Sequence, residues 1–193
     1  PVLTADMPWE HLPILGNYTW TILRDAETGT FRCWYEDWAL DAAGWAERTV
    51  DITDPSISKS RICLAVSDDG LNWEKRPIGL VKEKERDTNI VLGDAVDGPE
   101  QFGSAHASTI IDDPTESDGS RRFKMLFQHI QTEDAERDTS TDDNAELAVL
   151  QSPIRAAYSS DGVHWVLDPN PLDFGGVGPK LGDVLVLTYD SHA

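Results

Sequence analysis

Short runs of β-branched and aromatic residues, separated by polar turns, recur along the chain, and no stretch holds the 3.6-residue period of a long amphipathic helix. Regular pattern begins at Tyr18-Thr19-Trp20-Thr21-Ile22-Leu23, breaks at Asp25-Ala26-Glu27-Thr28-Gly29 and resumes at Phe31-Arg32-Cys33-Trp34-Tyr35, which predicts a hairpin. A polar stretch over 37–60 follows, carrying Trp38, Trp45 and Pro55. It is too long for a turn, so it reads as a lid or rim loop with room for one short helix over 38–48. Arg61 to Val66 predicts a third strand, and Trp73-Glu74-Lys75 opens a fourth. Residues 1–16 are Pro-rich and aperiodic and read as a lead-in loop.

The same order then returns. His106 to Ile111, Phe123 to Phe127 and Ile154 to Tyr158 repeat the first three strands, and the third strand of each copy runs into S-x-D-G-x-x-W. The motif reads Ser67-Asp68-Asp69-Gly70-Leu71-Asn72-Trp73 in one copy and Ser159-Ser160-Asp161-Gly162-Val163-His164-Trp165 in the other. Trp73 and Trp165 lie 92 residues apart (165 minus 73), and Phe31/Phe123 and Ser67/Ser159 keep that offset, so the alignment has no gap from 31 to 73. Asp-Gly predicts a tight turn with positive φ. A third copy opens at Asp183-Val184-Leu185-Val186. Counting back seven residues from the turn aspartates Asp25, Asp113 and Asp190 makes Tyr18, His106 and Asp183 equivalent. Serial four-stranded antiparallel units predict an all-β chain and favour a β-propeller over a sandwich. The units divide as 1–16, 17–105, 106–182 and 183–193, about two and a half blades. The repeat exceeds the ~40–50 residues of an ordinary blade, and the insertions account for the excess.

A start at Pro1 and an end just after an apolar run are what a fragment of a longer protein would show. The formal charge of −19, from 16 basic and 35 acidic residues, argues against nucleic acid or an anionic membrane as a partner, since both need clustered Lys and Arg. The acid excess fits solubility or a high-salt habitat. No run approaches the ~20 apolar residues of a membrane span, and no signal-peptide pattern is present. Cys33 and Cys63 lie in predicted strands of one unit, either as buried thiols or as a cross-strand disulfide. The acidic insertion from Thr132 to Asn144 lacks the Gly and the carboxylate alternation of a calcium loop. No G-x-S-x-G elbow, phosphate loop, H-E-x-x-H or C-x-x-C occurs, so no metal or cofactor is expected.

Arg61 to Lys75, with Gly79-Leu80-Val81 and Asn89-Ile90-Val91-Leu92 after it, resembles the five-bladed propellers related to glycoside hydrolase families 32 and 43. Arg122 to Phe127 and Ala157 to Trp165 follow the same pattern, so the resemblance covers roughly residues 17–190. It implies five blades in the full protein, a carbohydrate substrate, and hydrolysis of a glycosidic bond by carboxylates at the axis. In that chemistry one acid protonates the departing oxygen and the other activates water or attacks the sugar. The Asp-box of sialidases is a weaker likeness, because it has one more residue between its Asp and Gly. The family 32 stretches N-D-P-N-G and R-D-P are absent. His106-Ala107-Ser108 stands where R-D-P would align, and Asp113-Pro114 belongs to the later turn.

In such propellers the axial groups open the inner strands, which here are Tyr18, His106 and Asp183. Asp183, after Gly182, is the first catalytic candidate, with a strand-start cap as the plainer reading. His106 is a candidate acid, base or sugar-hydroxyl ligand, against a structural histidine. Glu100, in the loop Gly98 to Gly103, is the third catalytic candidate. Tyr18 and Trp20 are candidates for a sugar-stacking face, although strand aromatics are commonly core. Asp68, Asp69 and Asp161 read as turn residues. The acid pair is therefore expected from Asp183, Glu100 or units beyond residue 193, unless the protein binds a glycan without cleaving it.

Overall fold

The computed structural model describes residues 3–14, 20–38, 60–96, 98, 101–130, 153–172 and 187–189. Among them the chain is all-β and antiparallel, apart from one 3-10 turn at Gly119–Arg121. No helix among the described residues is long and apolar enough to cross a membrane. The first sheet contains β1 (Leu12–Ile14), β2 (Trp20–Arg24), β3 (Phe31–Trp38), β4 (Ser60–Ser67) and β7 (Ile90–Leu92), in the order β1-β3-β4-β7 with β2 also on β3. The second runs β11-β10-β9-β8, from β8 (Ser104–Asp112), β9 (Phe123–Ile130), β10 (Ile154–Ser159) and β11 (Val166–Leu167). A small ribbon pairs β5 (Lys82–Glu83) with β6 (Arg86–Asp87).

The repeat is a repeat of register. Phe31 pairs with Ser67 and Glu36 with Ile62, while Phe123 pairs with Ser159 and Gln128 with Ile154, each at the 92-residue offset. The fourth strand is slighter than its sequence predicts. It is a lone bridge, Val66 to Glu74, in the first unit and the two residues of β11 in the second. In the first unit β7 takes the remaining edge of β4. The lead-in segment also departs from expectation, because β1 pairs with the end of β3 (Leu12 with Trp38). Strands β3 and β4 reach Trp38 and start at Ser60, so the insertion is shorter than 37–60. The short helix considered over 38–48 lies, beyond Trp38, outside the described residues.

Strand alternation sorts the residues into two faces. Trp34, Ile62 and Leu64 meet Ile110, Phe123, Met125, Phe127 and Ala157 between the sheets. Each large side chain fully buried there contributes ~1.5–3 kcal/mol. The far face of the first sheet carries Cys33, Tyr35, Cys63, Ala65 and Ile90, packed by Leu3, Trp73 and Val81. Cys33 and Cys63 are both free and buried. They are not cross-strand partners, since Cys63 faces Tyr35 and Cys33 faces Ala65. Burial pushes the Cys33 thiol up to about 12.

One contact recurs on either side of β8. The Ile110 amide donates to Thr21 Oγ1 (3.2 Å), and the Leu187 amide donates to Thr109 Oγ1 (3.1 Å). Thr21 and Thr109 each stand four residues before their turn aspartate, and Ile110 and Leu187 each stand three before theirs.

Both S-x-D-G-x-x-W turns close by the same bonds. Ser67 Oγ donates to Asp69 Oδ1 (3.1 Å) and accepts from the Gly70 amide (2.9 Å), while Asp69 Oδ1 takes the amides of Leu71 (2.8 Å) and Asn72 (2.7 Å). Ser159 and Asp161 repeat this with Gly162, Val163 and His164. Only the glycines take positive φ, +73° at Gly70 and +75° at Gly162. The tight turn read from Asp-Gly is thus a longer loop closed by Asp and Ser side chains. The amides of Asn72 and Leu71 hold the Asp69 carboxyl well below the usual carboxylate range. A carboxyl depressed on folding stabilises above its unfolded value, about 4, and that stability is lost as pH falls through the folded value. In thermal melts, Asp69→Ala is expected to lower Tm at neutral pH and to lose less stability than the parent below about pH 4. Parallel slopes in the two proteins would count against this role.

Candidate functional site

The sequence resemblance directs attention to the start of β8, where His106 stands. Its ring reaches across to the first sheet, with Nδ1 2.7 Å from Glu36 Oε1. Glu36 follows Trp34 by two positions on β3, so alternation turns it to the face that meets the second sheet. Its side chain is fully buried, and that of His106 is 10% exposed. Trp38 Nε1 and Ser60 Oγ, both at 2.5 Å, also donate to Glu36 Oε1, and the Ala107 amide donates to Oε2 (3.1 Å). The Trp38 and His106 rings meet edge to face, 5.4 Å between centroids.

Backbone geometry supports this placement. Ala107 has φ +52°, a left-handed conformation that costs a residue with a Cβ roughly 1–2 kcal/mol. The β8–β9 register shifts between His106 and Thr109 at the same place, so His106 sits at a bulge. The loop leading into β8 is clamped by Asp94, whose carboxylate accepts from the amides of Gln101 (2.9 Å), Phe102 (2.9 Å) and Gly103 (2.8 Å). Phe102 in turn packs on His129 (4.7 Å between centroids), whose Nε2 lies 2.6 Å from the Phe102 carbonyl.

Beside Glu36, and on the other face of β3, lies a second buried charge cluster. Arg61 donates through Nη1 to Glu83 Oε2 (2.9 Å) and through Nη2 to the Trp9 carbonyl (2.7 Å) and to Asp37. Burial works to lower the Arg61 pKa, and Asp37, Cys63 and Glu83 around it together outweigh that, so the guanidinium stays charged. Further along the same face, Lys75 Nζ donates to Glu10 (2.7 Å) and Asp6 (2.8 Å), and the Tyr35 hydroxyl donates to Glu10 Oε1 (2.6 Å). Asn89 joins this network through Tyr35 and the Trp9 indole. Both clusters are ion-pair networks that tie residues 6–11 to the first sheet.

Of the sequence candidates, His106 joins Glu36, which sequence reasoning missed. Its one signal was an acidic residue continuing the β-run of Phe31 to Tyr35 at a position where the second copy has Gln128. Trp20 opens β2 opposite Tyr35, 41% exposed, on the sheet face away from Glu36. Tyr18, Glu100 and Asp183 lie outside the described residues. Asp68 and Asp69 line a surface cleft of about 250 Å³ with Ser67, Asn72, Glu74 and Arg76, at the first outer turn. Among the described residues, no group of three or more His, Cys, Asp or Glu side chains could hold a metal ion.

No family model matches the sequence, and no curated protein does. Two solved structures are similar. One is the crystal structure of a "putative glycoside hydrolase" from Parabacteroides distasonis ATCC 8503, at 16% identity and TM-score 0.47, covering 91% of this chain and 37% of that one. The other is an N-acetylgalactosamine deacetylase from F. plautii in complex with blood group B trisaccharide, at 14% identity and TM-score 0.41, covering 79% and 34% respectively. The chain spans only about a third of the length of either structure.

Proposed function

We propose that this chain is part of a five-bladed β-propeller that hydrolyses glycosidic bonds, with His106 and Asp183 at an axial pocket and Glu100 near its rim. The observation that carries the reading is a recurring threonine contact. Thr21–Ile110 and Thr109–Leu187 are the same contact one unit apart. That register supports Asp183 as the third unit's counterpart of His106. A carboxyl group there can serve as the acid or the nucleophile of glycoside cleavage, with a second carboxylate on the opposite side of the bond. Tyr18, at the corresponding edge of the first unit, offers a sugar-stacking surface in this reading, whereas Trp20 lies on the sheet face away from Glu36. The test is a panel of aryl glycosides and oligosaccharides. Asp183→Asn is expected to abolish sugar release while leaving the thermal melt nearly unchanged, and unaltered turnover would overturn the assignment.

One observation favours a second reading, a glycan-binding or scaffold propeller without hydrolysis. Glu36 is the carboxylate joined to His106, and its oxygens are already engaged by three donors besides the His106 ring. It is therefore committed to holding its neighbours and is no free acid for a leaving group. Glycan binding with no sugar release on long incubation would select this reading.

A further inference from the structure

We infer that Glu36 is a positioning residue for His106, fixing the imidazole with its proton on Nδ1 so that any proton exchanged in the pocket passes at Nε2. This rests on the reading of His106 as a pocket group. The donor set around Glu36 requires it. Trp38 Nε1 and the Ala107 amide can only donate, and they sit on different oxygens of the carboxyl group. Ser60 adds a third donor on Oε1. The hydroxyl oxygen of a neutral carboxyl group is a weak acceptor, so two donors on Oε1 and one on Oε2 fit an ionised carboxylate. Facing that anion at 2.7 Å, His106 Nδ1 is the donor. The same logic holds a histidine by a buried aspartate in hydrolytic triads, where the carboxylate selects the tautomer and steadies the imidazolium.

The repeat argues that this charge is no demand of the fold. Gln128 occupies the position of Glu36 in the second unit, on the equivalent strand and in the equivalent register, and is also fully buried. A neutral amide is thus sufficient at that place in a sheet of this kind. Gln128 is also the β9 cross-strand neighbour of His106, and the carboxylate is the group that stands 2.7 Å from Nδ1 of that same ring.

The experiment uses protein labelled with 15N in histidine, whose two ring nitrogens report the tautomer directly. In the parent protein at a pH where His106 is neutral, we expect protonated Nδ1 and bare Nε2. In Glu36→Gln the carboxamide can offer a donor to Nδ1, and the ring is expected to move to the Nε2–H form. An Nε2–H tautomer in the parent overturns the inference without any variant, so a variant that fails to fold does not block the test. On a hydrolysed glycoside, Glu36→Gln is expected to lower kcat on the order of a hundredfold with KM unchanged, and an unchanged kcat overturns the role. The tautomer is read without substrate, so an Nδ1–H ring in a protein that cleaves no glycoside sinks the hydrolase reading alone.

Discussion

Arg61→Ala is expected to destabilise the protein by about 3–5 kcal/mol, the cost of leaving buried charges unpaired. Arg61 and Asp37 are completely buried and Glu83 is nearly so. Removing the guanidinium leaves two carboxylates facing each other without water. It also strips the Trp9 carbonyl of its donor. Replacing all three charges with apolar side chains of similar size should recover much of the loss, because the pair bears its own desolvation cost. Urea unfolding checks both, with Arg76→Ala as the control. Arg76 pairs with Glu74 where both side chains are mostly exposed, and exposed pairs contribute little. If Arg61→Ala unfolds at the same urea concentration as Arg76→Ala, the cluster does not stabilise the sheet.

Gly162→Ala should cost about 2–5 kcal/mol, while Gly70→Ala should cost only about 1–2. The two glycines are repeat equivalents with nearly the same φ, so the left-handed backbone penalises a Cβ equally at both. They differ in what lies above them. A Cβ on Gly70 would meet the Phe31 ring at 3.7 Å, an ordinary contact, whereas one on Gly162 would come within 2.7 Å of Trp34 Cζ2. Trp34 is fully buried and donates from its indole to the Gly162 carbonyl (2.8 Å), so it cannot step aside cheaply. In the first unit the matching carbonyl, Gly70, takes its own Trp73 indole instead (3.2 Å). Trp165, displaced from that bond, has an indole N–H with no partner among the described residues. Equal losses of Tm in the two alanine variants would refute this account of the seat under Trp34.

What the sequence made legible was local or periodic. Asp25, Asp69 and Asp161 bond to amides two and three residues ahead, so their chemistry is visible in any short window. The 92-residue offset survives as register because Phe31 and Phe123 pair with serines that share it. Glu36 and Asp37 were hidden for the opposite reason. Asp37 opens the polar stretch that reads as a loop and Glu36 stands unassigned before it, yet both are buried, one against an arginine 24 positions away and the other against a histidine 70 positions away. Burial of a charge depends on a partner that no local pattern names. The anchoring of the lead-in segment was hidden likewise, since Trp9 and Glu10 are held by Asn89 and Lys75. Trp20 shows the limit of equivalence along a strand: one step from Thr21, it points to the other face.

The threonine contacts between inner strands set how the units share stability. Each joins residues far apart in the chain, 89 positions for Thr21 and Ile110 and 78 for Thr109 and Leu187. The hairpins of a unit close over shorter loops, so they are favoured to form first, and the Thr21–Ile110 link joins two sheets already made. The array is then a row of nearest neighbours whose coupling is adjustable one side chain at a time. Weakening the Thr21 link would lower that coupling by the ~1 kcal/mol of one hydrogen bond, with the core shared around Trp34 still joining the two sheets.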